Sequence, residues 1–235
     1  MKRPSLNGPA LNRRERVVYL AAAWCLSYPD EELVGRVPLI RAALSEFPGA
    51  PADFSPVLDL LEATPPLELQ AQYVREFDLG RRHALHLSYW TDGDTRRRGE
   101  VLGSFKAAYR SSGVLVDLDG ELPDYLPMVL EFAARVDGGA GRELLQRYRA
   151  SLEMLRLGLL RDTLPHAAVL SALCATLPGK SPQDEQEVMR MAGFGPPTET
   201  WAWTPTTRGC CRSGRADHAR TLDGAGDGAR TRRRP

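Results

Sequence analysis

The residues best equipped for chemistry crowd into positions 83–131, and their spacing favours contact over catalysis. Asp117, Asp119, Glu121 and Asp124 form a run of carboxylates with no basic residue among them. Such a run can attract a cationic segment of another protein; it can equally be a solvated loop that ends in a helix cap. Upstream, Asp92-Gly93-Asp94 begins like a calcium loop. Its fifth position is Arg96, however, and no glycine follows at the sixth, so that reading fails. Arg96, Arg97 and Arg98 then fall in the first turn of a helix, where cations oppose the macrodipole at about a few tenths of a kcal/mol each. The misfit points to pairing with nearby carboxylates or to contact with a partner. His83 and His86 are three apart and His166 is remote, without the further ligands that a metal centre needs. No nucleophile elbow, phosphate-cradling glycine loop, dinucleotide fingerprint or zinc-protease helix occurs. No catalytic residue, metal or cofactor is therefore assigned. A helical hydrolase with scattered ligands is the enzymatic alternative.

The elements that must position these residues read as helices separated by Pro and Gly. The 235 residues are 43% hydrophobic and 26% charged, as in a globular domain with a substantial core. The net charge of +1 is uneven: residues 201–235 hold eight Arg and three Asp, so the first 200 carry a net −4. A mildly acidic body favours basic partners over nucleic acid. A first helix is expected over 12–27, with Asn12 as N-cap. It carries a core stripe of Val17, Ala21, Trp24 and Tyr28. Its apolar run is too short to span a bilayer, so neither an export signal nor stable membrane insertion is expected, and the location is read as cytoplasmic.

Further helices are expected over 30–46 (weakened or split by Pro38), 55–63, from 65 through Phe77, and from Asp94 or Thr95 to a stop at Gly113. Residues 78–93 and 114–122 read as irregular. One long helix is expected over 140–162, with Leu144, Tyr148, Leu152, Leu155 and Leu159 inward. Its charged side, Arg142, Glu143, Arg147, Arg149, Glu153 and Arg156, reads as solvated. Helices over 164–177 and 181–191 follow. Cys25 and Cys174 are read as small core residues. The domain organisation is thus a flexible 1–11, a helical domain over 12–197, and an Arg- and Gly-rich tail over 198–235. That tail is too poor in apolar residues to fold; a basic nucleic-acid arm and a shifted reading frame are its other readings.

Residues 123–132 carry the most pointed signal. Pro127 has no N–H and belongs in a first helical turn, which makes Asp124 the expected N-cap. Leu126, Val129, Leu130 and Ala133 then form one stripe, while Tyr125, Met128 and Phe132 make other sides apolar too. A helix apolar on most of its circumference is buried or faces a partner. Methionine is adaptable at surfaces that receive varied apolar helices.

Three stretches resemble the NarJ family of nitrate reductase assembly chaperones. They are Tyr73-Val74-Arg75-Glu76-Phe77-Asp78; Leu85 to Tyr109, with its core Gly93-Asp94-Thr95-Arg96-Arg97-Arg98-Gly99; and Leu122 to Phe132. The turn Leu26-Ser27-Tyr28-Pro29-Asp30 also fits. The likeness covers about residues 15–195. One departure is Tyr125, where the wider group of molybdoenzyme chaperones usually has His. The resemblance implies an all-α, single-domain helical bundle of the NarJ/TorD type and a cytoplasmic chaperone. Its partner would be the apo catalytic (alpha) subunit of respiratory nitrate reductase, held at its N-terminal peptide until the molybdenum cofactor and iron–sulfur cluster are inserted. A different molybdoenzyme is the alternative client. The expected partner-binding residues are Tyr89, Arg96, Arg98, Asp117, Asp119, Glu121, Asp124, Tyr125, Met128 and Glu131. They would line a hydrophobic groove flanked by negative charge.

Overall fold

A computed structural model of the chain describes residues 11–92, 97–113 and 120–193. Among them it contains α-helices and one isolated backbone bridge, and no strand. The helices are α1 (Arg13–Cys25), α2 (Glu31–Ser45), α3 (Ala50–Ala63), α4 (Pro66–Tyr73), α5 (Tyr89–Asp92), α6 (Arg97–Ser111), α7 (Leu126–Arg135), α8 (Gly138–Arg147), α9 (Arg149–Arg161), α10 (His166–Ala175) and α11 (Glu185–Met191). A π-helical turn, Val74–Asp78, continues α4.

Local chemistry sets most helix starts. Asn12 and Glu15 form a capping box at α1, each side chain accepting from the other's backbone N–H at 2.9 Å. Asp30, Asp137 and Asp184 cap α2, α8 and α11 in the same N-cap manner. Pro38 does not split α2, which runs unbroken from Glu31 to Ser45 with Pro38 on its exposed side. The third helix starts at Ala50, earlier than expected, because Pro51 is well placed in a first turn. Gly113 ends α6 at φ +80°, a conformation that glycine adopts without strain.

The core sits among α1, α3, α7, α9 and α10, with α1 packed along α7 and α10 against both α3 and α9. The inward face of α1 matches the expected stripe only in part: Ala21 is buried and Val17 and Trp24 pack against the core. Val18, Tyr19, Ala22, Cys25 and Leu26 are buried, while Trp24 is half-buried and Tyr28 is exposed. Cys25 and Cys174 are free and buried, each thiol pushed up to about 12 by desolvation. Helices α7 and α8 cross very closely. A Cβ on Gly141 would lie 2.2 Å from that of Ala133, so only glycine fits there.

The long helix expected over 140–162 is two helices, α8 and α9, broken at Tyr148 (φ −101°, ψ 24°). Its charged side is solvated only in part: Glu143 and Arg147 are exposed as expected. Arg149, Glu153 and Arg156 are buried, with Glu153 between the two guanidiniums at 3.3 and 2.6 Å. Arg149 also donates to the carbonyls of Pro178 and Gly179, and Arg156 to that of Pro182. The segment after α10 thus folds back over this face, and its carbonyls pair the charges that water would otherwise hold.

Candidate functional site

The turn Leu122–Tyr125 is the junction on which the candidate site is built. A bridge pairs it with the strap Leu85–Ser88: Leu87 N–H donates to the Asp124 carbonyl at 3.0 Å, and Leu126 N–H to the Leu85 carbonyl at 2.8 Å. Asp124 has no exposed surface. Its Oδ2 accepts from the Ser88 backbone N–H at 3.0 Å and from the Ser88 hydroxyl at 2.6 Å. His86 Nδ1 lies 3.6 Å from Oδ1, too long for a hydrogen bond. Burial alone would raise the Asp124 pKa, but His86 and the Ser88 hydrogen bonds outweigh it and hold the carboxyl below its usual range. Asp124 is therefore neither the N-cap of α7, a position taken by Tyr125, nor a carboxylate that can touch a partner. The Tyr109 hydroxyl donates to the Pro123 carbonyl at 2.6 Å and fixes the other end of the turn.

Tyr125 is half-buried, with its hydroxyl 3.0 Å from that of Tyr73. Tyr73 in turn donates to the Leu26 carbonyl at 3.0 Å and meets the Tyr28 ring edge-on. Desolvation raises both phenols, Tyr125 to about 12, and the negative charges of Asp78 and Glu121 add to this. Tyr28, whose ring meets Tyr73, is 44% exposed, and Leu122, in the same turn as Tyr125, is 37% exposed. Glu121, next to Leu122 in the chain, is exposed, and Met128 and Glu131 are half-buried on the following helix. Of the remaining expected contacts, Tyr89 is half-buried and packs edge-on against Trp90, and Arg98 is half-buried near the start of α6. Arg96, Asp117 and Asp119 lie outside the described residues.

A cavity of about 90 Å³, lined in part by Tyr73, opens between α3, the π-turn and α10. Cys25, Leu61, Leu69, Tyr73, Phe77 and His166 are among its lining residues; Met128 and Tyr125 are not. The groove expected along α7 is thus not where this cavity lies, although Tyr73 lines the cavity and also meets Tyr125. The π-turn carries Glu76 and Phe77 to the cavity wall, and Gly80 closes behind it; a Cβ there would lie 3.2 Å from the Glu76 carbonyl. The His166 ring packs edge-on against Phe77 at 4.9 Å between centroids. Desolvation, with the nearby His83, lowers its pKa to about 4, so it is neutral at pH 7. Below it, His83 is buried between Asp162 (3.1 Å) and Glu76 (3.7 Å). Among the described residues no cluster of three or more His, Cys, Asp or Glu side chains could hold a metal, and no helix is long and apolar enough to cross a membrane.

The fold resembles that of one solved structure, described as a candidate redox enzyme maturation protein from Archaeoglobus fulgidus. It matches with a TM-score of 0.52 and 19% identity, over 74% of this chain and 98% of that one. A family model described as nitrate reductase delta subunit matches residues 44–172. NarJ of Bacillus subtilis is 33% identical over 71% of this chain and 92% of its own length. The nitrate reductase molybdenum cofactor assembly chaperone NarJ of Escherichia coli K12 is 31% identical over 55% and 56% of the two chains. The nitrate reductase-like protein NarX of Mycobacterium tuberculosis is 40% identical over 68% of this chain, which spans 24% of that longer protein. The chain belongs to the nitrate reductase delta subunit family.

Proposed function

We propose that this protein is an assembly chaperone that binds the apo catalytic subunit of respiratory nitrate reductase at its N-terminal segment. It keeps that subunit competent for insertion of the molybdenum cofactor and iron–sulfur cluster before membrane assembly. The observation that carries this reading is the likeness to Bacillus subtilis NarJ over 92% of that protein's length. The surface chemistry supports it. Exposed Tyr28 and Leu122 and half-buried Tyr125 and Met128 offer apolar contacts, and Glu121 and Glu131 offer charge for a basic helix. Arg96, Arg98, Asp117, Asp119 and Tyr89 belong to the same proposed partner-binding set. Asp124 acts from beneath it, by fixing the turn.

Nothing in the cavity favours the hydrolase alternative. A nucleophilic thiol needs a lowered pKa, whereas burial pushes Cys25 up to about 12.

The direct test is capture of partners by the tagged protein from cells grown anaerobically on nitrate. The large reductase subunit is the expected co-purified chain; recovery of a different molybdoenzyme would redirect the assignment, and recovery of neither would overturn it. Met128→Glu should keep its circular dichroism spectrum and bind the subunit's N-terminal peptide at least about 10-fold more weakly, since each factor of ten is about 1.4 kcal/mol. Unchanged affinity by calorimetry would remove α7 from the interface.

A further inference from the structure

We propose that His83 is a proton-operated clasp: its protonated ring ties the π-turn to the end of α9 and holds the cavity wall in place, and loss of the proton loosens it. The His83 side chain is buried, and its two ring nitrogens face carboxylates from different elements. Nδ1 lies 3.7 Å from Glu76 of the π-turn, and Nε2 lies 3.1 Å from Asp162, the C-cap of α9. A neutral imidazole carries one N–H, so only the imidazolium serves both carboxylates. Nε2 is also buried without a hydrogen-bond partner, so charge has to supply what hydrogen bonding does not.

The surroundings hold the ring and leave its charge as the variable. Gly158 brings the α9 backbone against it: a Cβ there would lie 3.3 Å from the Arg82 carbonyl and 3.5 Å from a carbon of the His83 ring. On the π-turn, Arg75 pairs with Glu76 at 2.9 Å. At the end of α9, Arg161 and Arg82 reach Asp162 at 3.5 and 3.8 Å. From α10 comes His166, neutral at pH 7 because desolvation and the nearby His83 lower it to about 4. The arginines keep their charge at any working pH, whereas histidine is the side chain type that changes its own near neutrality. The clasp reaches the cavity directly. Glu76, Phe77 and His166 line it, and the Phe77 ring lies 6.4 Å from that of His83 and 4.9 Å from that of His166. A cation that gains partners on folding contributes stability in acid and loses it as pH rises through its titration. Burial works against the charge, and the two carboxylates must outweigh it.

The clasp goes beyond the chaperone reading and does not depend on which client is bound. Its test follows ring and methyl signals of the full chain by NMR from about pH 5 to about pH 8. Both His83 nitrogens should be protonated at the acid end and one at the other, and Glu76→Gln should move the midpoint to lower pH. Leu61 and Leu69, cavity-lining residues on α3 and α4, should shift with the wild-type midpoint, and this movement should vanish in His83→Gln. The urea midpoint of wild type should exceed that of His83→Gln in acid, by a margin that shrinks as the pH rises. Comparison of the two proteins removes contributions common to both, such as those of His86 and Asp124. A His83 ring that keeps one charge state throughout, or Leu61 and Leu69 signals with the same pH dependence in His83→Gln, would overturn the proposal. If His83→Gln fails to fold, the titration of His83 in wild type and in Glu76→Gln decides.

Discussion

Removing the Asp124 carboxylate should be among the most damaging single changes at the Leu122–Tyr125 turn. The side chain has no exposed surface and accepts two hydrogen bonds from Ser88, at 3.0 and 2.6 Å. Hydrogen bonds to a charged group contribute about 1.5–3 kcal/mol each, and donors left buried without partners cost about 1–3 kcal/mol. Asp124→Ala strands the Ser88 N–H and hydroxyl together, so a loss of about 3–5 kcal/mol is expected. With a urea slope of about 2 kcal/mol per molar, the unfolding midpoint should fall by about 2 M. Asp124→Asn keeps the shape and one acceptor and loses only the charge, so about 1–2 kcal/mol is expected. The pH dependence separates charge from packing. A folded-state pKa below the ordinary value near 4 means that the carboxylate's contribution is full above that value and lost as pH falls through the depressed one. The stability gap between wild type and Asp124→Asn should therefore be widest at pH 7 and close in strong acid. An Ala variant as stable as wild type, or an Asn gap that stays constant as the pH is lowered, would refute this account of the turn.

Two other changes test the fold that positions this turn. Gly141→Ala should destabilise by more than about 3 kcal/mol, because the new Cβ falls 2.2 Å from that of Ala133 and α7 must move off α8; a thermal midpoint within a degree or two of wild type would show that the helices give way easily. Cys25 and Cys174, buried with thiols raised to about 12, should be inert to an aromatic disulfide reagent in the native protein and react fast once it is unfolded. Rapid native labelling of either would mean that its helix opens readily.

The sequence alone determined what depends on neighbours along the chain. Asn12 and Asp30 mark helix starts because a capping side chain reaches only to its own first turn. Gly113 marks an end because its φ of +80° suits glycine. The order of the Leu85–Tyr109 and Leu122–Phe132 stretches carried the family, and with it the all-helical fold. Burial of charge was not legible. Arg149, Glu153 and Arg156 look like a solvated face until residues 178–182 return across them, and Asp124 looks like a cap until Ser88 arrives from the strap. The cavity was also beyond a linear reading, because α3, the π-turn and α10 come from distant parts of the chain. Helical periodicity reports which side chains share a face; only the packed fold decides what that face meets, and hence whether a carboxylate is hydrated, capping or sealed inside.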